Sequence, residues 1–283
     1  MVSDIRANIA AAPVQPGWIG TRPLRDGSHT GSTLATFSPV TIEEVRAIIS
    51  SLPSKTSSMD FIPVDLLKAC SLVLAPMIAH LANMCFNEGR FPTDFKHAQV
   101  TPILKKPGLD GTEPANYRPI SNLNVISKIL ERLVLARLTA HVSNSPNLNS
   151  LQSAYRAGHS TETALLKVTD DLYRIMDRSC AAVLIALDLS AAFDTIDHDR
   201  LAERLRSEFG IADKALQLIQ SYLSGRTQCI AIGGDISATH NCSTGILQGS
   251  VLGPFLFSIY ISPIADVIES FDVGVGTELQ NTL

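Results

Sequence analysis

Residues 183–198, VLIALDLSAAFDTIDH, decide how the chain is read, because an apolar run ends there on a carboxylate. Counted from Ala181, seven apolar residues in succession predict a buried strand, and Asp188 follows where that strand should surface. An ionised carboxylate is costly to hide from water, so a strand ends on one where it emerges or binds a cation. Metal-dependent phosphoryl transfer needs that arrangement, with one carboxylate on a rigid strand and a second on its neighbour. A helix cap or a turn residue reads equally well from these sixteen letters alone.

The bulk properties bound the alternatives. With 283 residues, 45% hydrophobic and 18% charged, the chain can bury a core as one large domain or two small ones, which excludes wholesale disorder. No apolar run approaches the roughly 20 residues of a membrane span. Stretches 72–84 and 251–264 are short or broken by Pro, Gly and polar residues. The N-terminus lacks a basic segment followed by an apolar core, so no secretory signal is expected. Five scattered cysteines without a CxxC pair argue for a reducing compartment, against a disulfide framework and against zinc. The net charge of −4 is uneven. Residues 96–137 carry seven basic and three acidic side chains, a basic zone on an acidic body that suits phosphate contact or a solvated helix face.

Outward from the opening stretch, residues 1–36 read as a flexible tail and 37–95 as a helical region. In TIEEVRAIISSL, Thr41 and Glu44 form a capping box, with Ile42, Val45, Ile48, Ile49 and Leu52 as one stripe. A second helix near 64–84 should bend or split at Pro76. Residues 96–180 begin with a strand and a basic turn. The helix NVISKILERLVLARLTAHV follows, with Ile126, Ile129, Leu130, Leu133 and Leu138 inward and Lys128, Glu131 and Arg132 outward. A helix over 160–177 should bury Leu165, Val168, Leu172, Ile175 and Met176. Its acids fit the solvated pairs Asp170–Arg174 and Lys167–Asp171 better than a metal site. Region 181–275 adds two helices, the first opened by a capping DHD at 197–199, and two strands around a Gly-Gly-Asp turn. Helices and strands interspersed without a βαβ beat predict an α+β fold with a small antiparallel sheet.

Two further stretches carry chemistry. GILQGSVLGP (245–254) sets glycines around Gln248, so a flat ligand or another backbone can approach a side chain that both donates and accepts; a turn before a buried helix is the plainer reading. NYRPIS (116–121) places Arg118 in the basic zone, suited to phosphate or to a surface ion pair.

In this order the stretches resemble the reverse transcriptase of non-long-terminal-repeat (LINE-type) retrotransposons. The resemblance covers most of 37–275, through FSPVTIEEVRAIISSLPSKTSSMDFIPVDLLK, VTPILKKPGLDGTEPANYRPISNLNVISKILERLV, LQSAYRAGHSTETALL, LIALDLSAAFDTIDHDRL and TGILQGSVLGPFLFSIYI. It implies a right-hand polymerase fold with fingers over 96–180 and a partial palm over 181–275. It implies an RNA template, a DNA primer and dNTP as partners, and two Mg²⁺ ions as cofactors. Asp188 matches the first catalytic Asp and metal ligand, and the Leu189 carbonyl a further ligand. Phe193 matches the aromatic under the incoming sugar, where a ring would reject a 2′-OH; a core aromatic is the alternative. Gln248 and Gly249 resemble the loop at the nascent base pair, and Arg118 the residue on the triphosphate, assisted by Lys105 or Lys106. Lys105, Lys106, Lys128 and Arg132 are the residues for a nucleic-acid backbone. Arg226 matches a recurrent position to which the resemblance attaches no role.

The pattern then departs from the family. After a strand expected at 271–275 the chain reads GTELQNTL over 276–283, where the family has Tyr/Phe-Ala-Asp-Asp. Glu278 is a poor substitute for two strand-borne aspartates. The expectation is a polymerase domain without thumb or endonuclease region, parts that a longer product would hold, and inactive by itself. The competing expectation is a non-catalytic RNA-binding remnant, marked by salt-dependent binding indifferent to Asp188→Asn. No import signal marks nucleus or cytoplasm.

Overall fold

The computed structural model describes residues 29, 31–143, 145–149, 152–189 and 191–269. Local sequence signals set the first helices. In α1 (Ile42–Ser51) the Thr41 hydroxyl accepts from the Glu44 N–H at 3.1 Å while the Glu44 carboxylate accepts from the Thr41 N–H at 2.9 Å, the capping box read from the sequence. Val45 and Ile49 are buried, as is Leu52 just beyond the helix. The next helical segment does split, but at Cys70 rather than Pro76, giving α2 (Val64–Ala69) and α3 (Ser71–Glu88). Pro76 lies inside α3 on a face where Leu72 and Val73 are exposed, so water can take up the carbonyl its ring leaves unbonded. Gly89, with φ +66, ends α3 in the left-handed conformation.

Cys85 on α3 is buried, and burial, followed by the Glu88 charge, pushes its thiol up to about 11. Cys180 is exposed. Iodoacetamide at pH 8 is expected to alkylate Cys180 first and Cys85 only after denaturant is added. Peptide mapping that found Cys85 labelled first in the native chain would contradict this.

Strands β1 (His97–Leu104) and β2 (Tyr117–Asn122) form an antiparallel hairpin, with Ile103 opposite Arg118. On the other side of β1 lies β3 (Arg226–Ile232), in parallel register from His97↔Thr227. β4 (Asp235–Ile236) and β5 (His240–Cys242) both run antiparallel to β3. The sheet is therefore mixed, not antiparallel as expected. Turn signals such as Gly233–Gly234, both at positive φ, specify hairpins between neighbours in sequence. The parallel pair joins strands more than a hundred residues apart, and no local signal encodes it.

Helix α4 (Val125–Val142) starts at Asn124, whose side chain accepts from the Ile126 N–H at 2.8 Å. Ile129, Leu130, Leu133 and Leu138 are buried as expected and Ile126 half-buried, but Glu131, expected outward, is 0% exposed. In α5 (Thr161–Asp177) the pairs Lys167–Asp171 and Arg174–Asp170 are present. Its expected core face is not buried. Leu165, Ile175 and Met176 are exposed, Val168 and Leu172 only half-buried, and Ala164 is the helix's one buried residue. The strand predicted from Ala181 is also absent, for 181–189 pair with no strand and Val183, Leu184, Ile185 and Leu187 are each more than two-thirds exposed. An apolar run becomes a buried strand only where other strands take its backbone N–H and C=O groups, and none among the described residues does. The strand expected at 271–275 and Glu278 lie outside the described residues.

Asp197 caps α6 (His198–Ser207), accepting from the Asp199 and Arg200 N–H groups at 3.1 and 3.0 Å, as DHD suggested. α7 (Asp213–Leu223), α8 (Gly253–Ile261) and α9 (Ile264–Glu269) complete the order. Leu34 forms a bridge with Ile211. One core runs from Phe37 to Ile261 and places α4, α7 and α8 behind the loop that precedes α8. No helix among the described residues is long and apolar enough to cross a membrane.

Candidate active site

The Gly-rich loop before α8 is tied down at successive points. The Gly245 N–H donates to the Ile196 carbonyl and the Ile246 N–H to the Phe193 carbonyl, both at 2.9 Å. The His198 Nε2–H donates to the Gly245 carbonyl at 2.7 Å. The Ser121 N–H of β2 donates to the Gln248 carbonyl at 2.8 Å. Two glycines make this closeness feasible. A Cβ on Gly245 (φ +77) would lie 2.8 Å from the Asp194 backbone, and one on Gly249 (φ +108) 2.6 Å from the Ser121 carbonyl oxygen. Gln248 is half-buried and Gly249 exposed, so the loop's tip is open while its ends are held.

These bonds join three of the stretches singled out in the sequence. Arg118, half-buried, stands on β2 three residues before Ser121. Lys105 and Lys106 are exposed just past the end of β1, where the Lys105 N–H donates to the Asn116 carbonyl at 2.9 Å. The three cations thus share one end of the β1–β2 hairpin. Lys128 and Arg132 sit a turn apart on α4, half-buried, and Arg132 spends one guanidinium nitrogen on the Ser51 hydroxyl at 3.0 Å.

Phe193 touches the loop through its carbonyl, while its ring stacks on Phe257 at 5.0 Å and 26°. The ring is half-buried, with part of its surface given to the core. Asp188 and Leu189 lie in the exposed segment 181–189, so no paired strand among the described residues holds the carboxylate. Asp194, next to Phe193, is half-buried, and burial raises its carboxyl above the usual range. Among the described residues no group of three or more His, Cys, Asp or Glu could hold a metal ion. One exposed carboxylate and a backbone carbonyl offer too little charge and too few ligands for two divalent ions, so the residues present do not fit a two-metal site.

Sequence reasoning gave no role to the residues behind the loop. Glu131 accepts from the Val251 N–H at 2.7 Å, the Leu252 N–H at 3.1 Å, the Tyr222 hydroxyl at 3.1 Å and the Ser127 hydroxyl at 3.1 Å. A signal was present. Ser127 and Val134, one turn before and after Glu131 on the same face, are both buried. Arg226 is 3% exposed, donates through Nε to the Tyr222 carbonyl at 2.7 Å and lies 4.0 Å above the Tyr222 ring. Beside it Lys96 is buried just before β1, and burial, then the Arg226 and Arg90 charges, pull its ammonium below the usual range.

Comparison with known proteins shows the family. The family described as reverse transcriptase (RNA-dependent DNA polymerase) matches residues 103–277. The chain is 31% identical over 257 residues to the RNA-directed DNA polymerase from mobile element jockey of Drosophila melanogaster, covering 87% of this chain and 27% of that protein. It is likewise 31% identical over 229 residues to the "Probable RNA-directed DNA polymerase from transposon BS" of the same species, covering 80% and 25%. With the retrovirus-related Pol polyprotein from type-1 retrotransposable element R2 of Popillia japonica the identity is 25% over 236 residues, covering 83% and 32%. The chain thus spans about a quarter to a third of the length of these relatives.

Proposed function

The chain belongs to the reverse transcriptase family, as a domain of the non-LTR retrotransposon type, and from that premise we propose that it holds primer–template and incoming dNTP for RNA-directed DNA synthesis. The observation that carries this reading is the Gly-rich loop bonded to β2 on one side and to the Phe193 turn on the other. A tip without side chains at Gly249 admits a flat base pair, and Gln248 offers it a donor and an acceptor. Lys105, Lys106, Lys128 and Arg132 meet the nucleic-acid backbone, and Arg118 grips triphosphate oxygens with help from Lys105 or Lys106. Phe193 lies under the deoxyribose, its ring braced by Phe257. Asp188 and the Leu189 carbonyl are the groups of this chain that would face Mg²⁺, and among the described residues no further carboxylate joins them to make a two-ion site.

Binding of a labelled RNA–DNA primer–template, titrated between about 50 and 200 mM salt, tests the reading. Affinity should fall steeply with salt. Lys105→Ala and Lys106→Ala should each weaken binding alike for every sequence and lower the salt slope by about one. Binding insensitive both to salt and to the two variants would overturn it.

A further inference from the structure

The carboxylate of Glu131 has four donors around it, two of them backbone N–H groups at the loop's exit. An ionised carboxylate only accepts, which suits a setting where each of these contacts is a donor. Val251 and Leu252 come directly before α8, and Leu252, its N-cap residue, supplies no side-chain cap. Their N–H groups would be orphans of the helix start, and Glu131 satisfies them from another helix. The Ser250 hydroxyl takes the next one, accepting from the Gly253 N–H at 3.1 Å.

Behind Glu131 the support continues. Burial, with the Glu131 charge next, raises the Tyr222 hydroxyl above its ordinary range, so it stays a donor at working pH. Phe91 meets the Tyr222 ring edge-on at 5.2 Å, and Arg226 covers its face. The two terminal guanidinium nitrogens of Arg226 find no hydrogen-bond partner among the described residues, so this buried cation is held by the ring and by the Tyr222 carbonyl. A buried row thus runs from Arg226 on β3 through Tyr222 on α7 to Glu131 on α4, and ends on the loop.

We propose that Glu131 is the positioning residue of the Gln248–Gly249 tip, with Tyr222 and Arg226 as its brace. The loop enters through main-chain bonds to Phe193 and Ile196, is held at the Gln248 carbonyl by the Ser121 N–H, and leaves through Glu131, which fixes the far side of the tip. Any consequence for the base pair rests on the function proposed above, whereas the anchoring itself does not.

Amide hydrogen exchange on the full chain tests it, with primer–template affinity measured in parallel. Glu131→Met should speed exchange at Val251 and Leu252 at least about tenfold relative to the α4 amides of Leu130 and Leu133. Glu131→Gln keeps one acceptor oxygen and should restore most of that protection, leaving a rise of about threefold at the same two amides. Tyr222→Phe, which removes the bracing hydroxyl but keeps both backbone bonds to Glu131, should speed exchange at the same two amides by about twofold, less than either Glu131 variant. Should Glu131→Met fail to fold, the confined rise in Glu131→Gln carries the test. Exchange that rises equally in α4 and the loop as the melting temperature falls, or that does not change, overturns the proposal. Protection lost at Val251 and Leu252 with affinity unaltered upholds the anchor and overturns instead the loop's place at the base pair.

Discussion

No nucleotide addition is expected from a purified chain of these 283 residues, even where it binds primer–template. In-line transfer of a nucleotidyl group needs two cations placed to within fractions of an ångström, each held by several oxygens. Asp188 supplies one carboxylate from an exposed segment that no strand among the described residues pairs with, and no other described group completes a metal site. A gel assay for dNTP- and Mg²⁺-dependent primer extension checks this, and extension that vanished in Asp188→Ala would refute it. In a longer product that also carries the family's paired aspartates, Asp188→Ala should cut extension about 10³-fold or more, the equivalent of several kcal/mol of transition-state stabilisation.

Gly249→Ala should weaken primer–template binding at least about tenfold while the melting temperature moves little. The new methyl would sit 2.6 Å from the Ser121 carbonyl oxygen, at a φ of +108 that L side chains rarely adopt. Ser121 cannot retreat, since β2 is paired along its length to β1. The loop must move instead, breaking the bond between the Ser121 N–H and the Gln248 carbonyl. Gly245→Ala meets the Asp194 backbone at 2.8 Å and should detach the loop's entry from the Phe193 turn, with a similar loss. Unchanged affinity in both variants would mean that the tip does not touch nucleic acid. A collapse of the melting temperature would mean that the glycines serve the fold as a whole.

How much was legible in the sequence follows the range of the forces involved. Capping is local, so Thr41–Glu44 and Asp197 could be read from a few letters. Hairpin turns are local too, and Gly233–Gly234 marked one. The loop glycines were noticed for their type, while the carbonyl that excludes a Cβ at Gly249 lies 128 residues earlier in the chain. Glu131 was misplaced for a related reason. Helical periodicity puts it beside buried neighbours, but residue type alone says that a carboxylate faces water unless donors await it, and here the donors come from α7 and from the loop before α8. The pattern AAVLIAL erred in the opposite direction, for apolar content proposes a strand but cannot provide its partners.

The linear order of side chains by itself determined the family to which this domain belongs and where most helices begin. Those properties depend on contacts a few residues apart. Only the tertiary structure decided that β1 runs parallel to β3, that a carboxylate sits wholly inside the protein, and that α5 and 181–189 leave their apolar faces uncovered. Burial and strand pairing are set by whichever distant segment arrives alongside, and no local pattern names that segment.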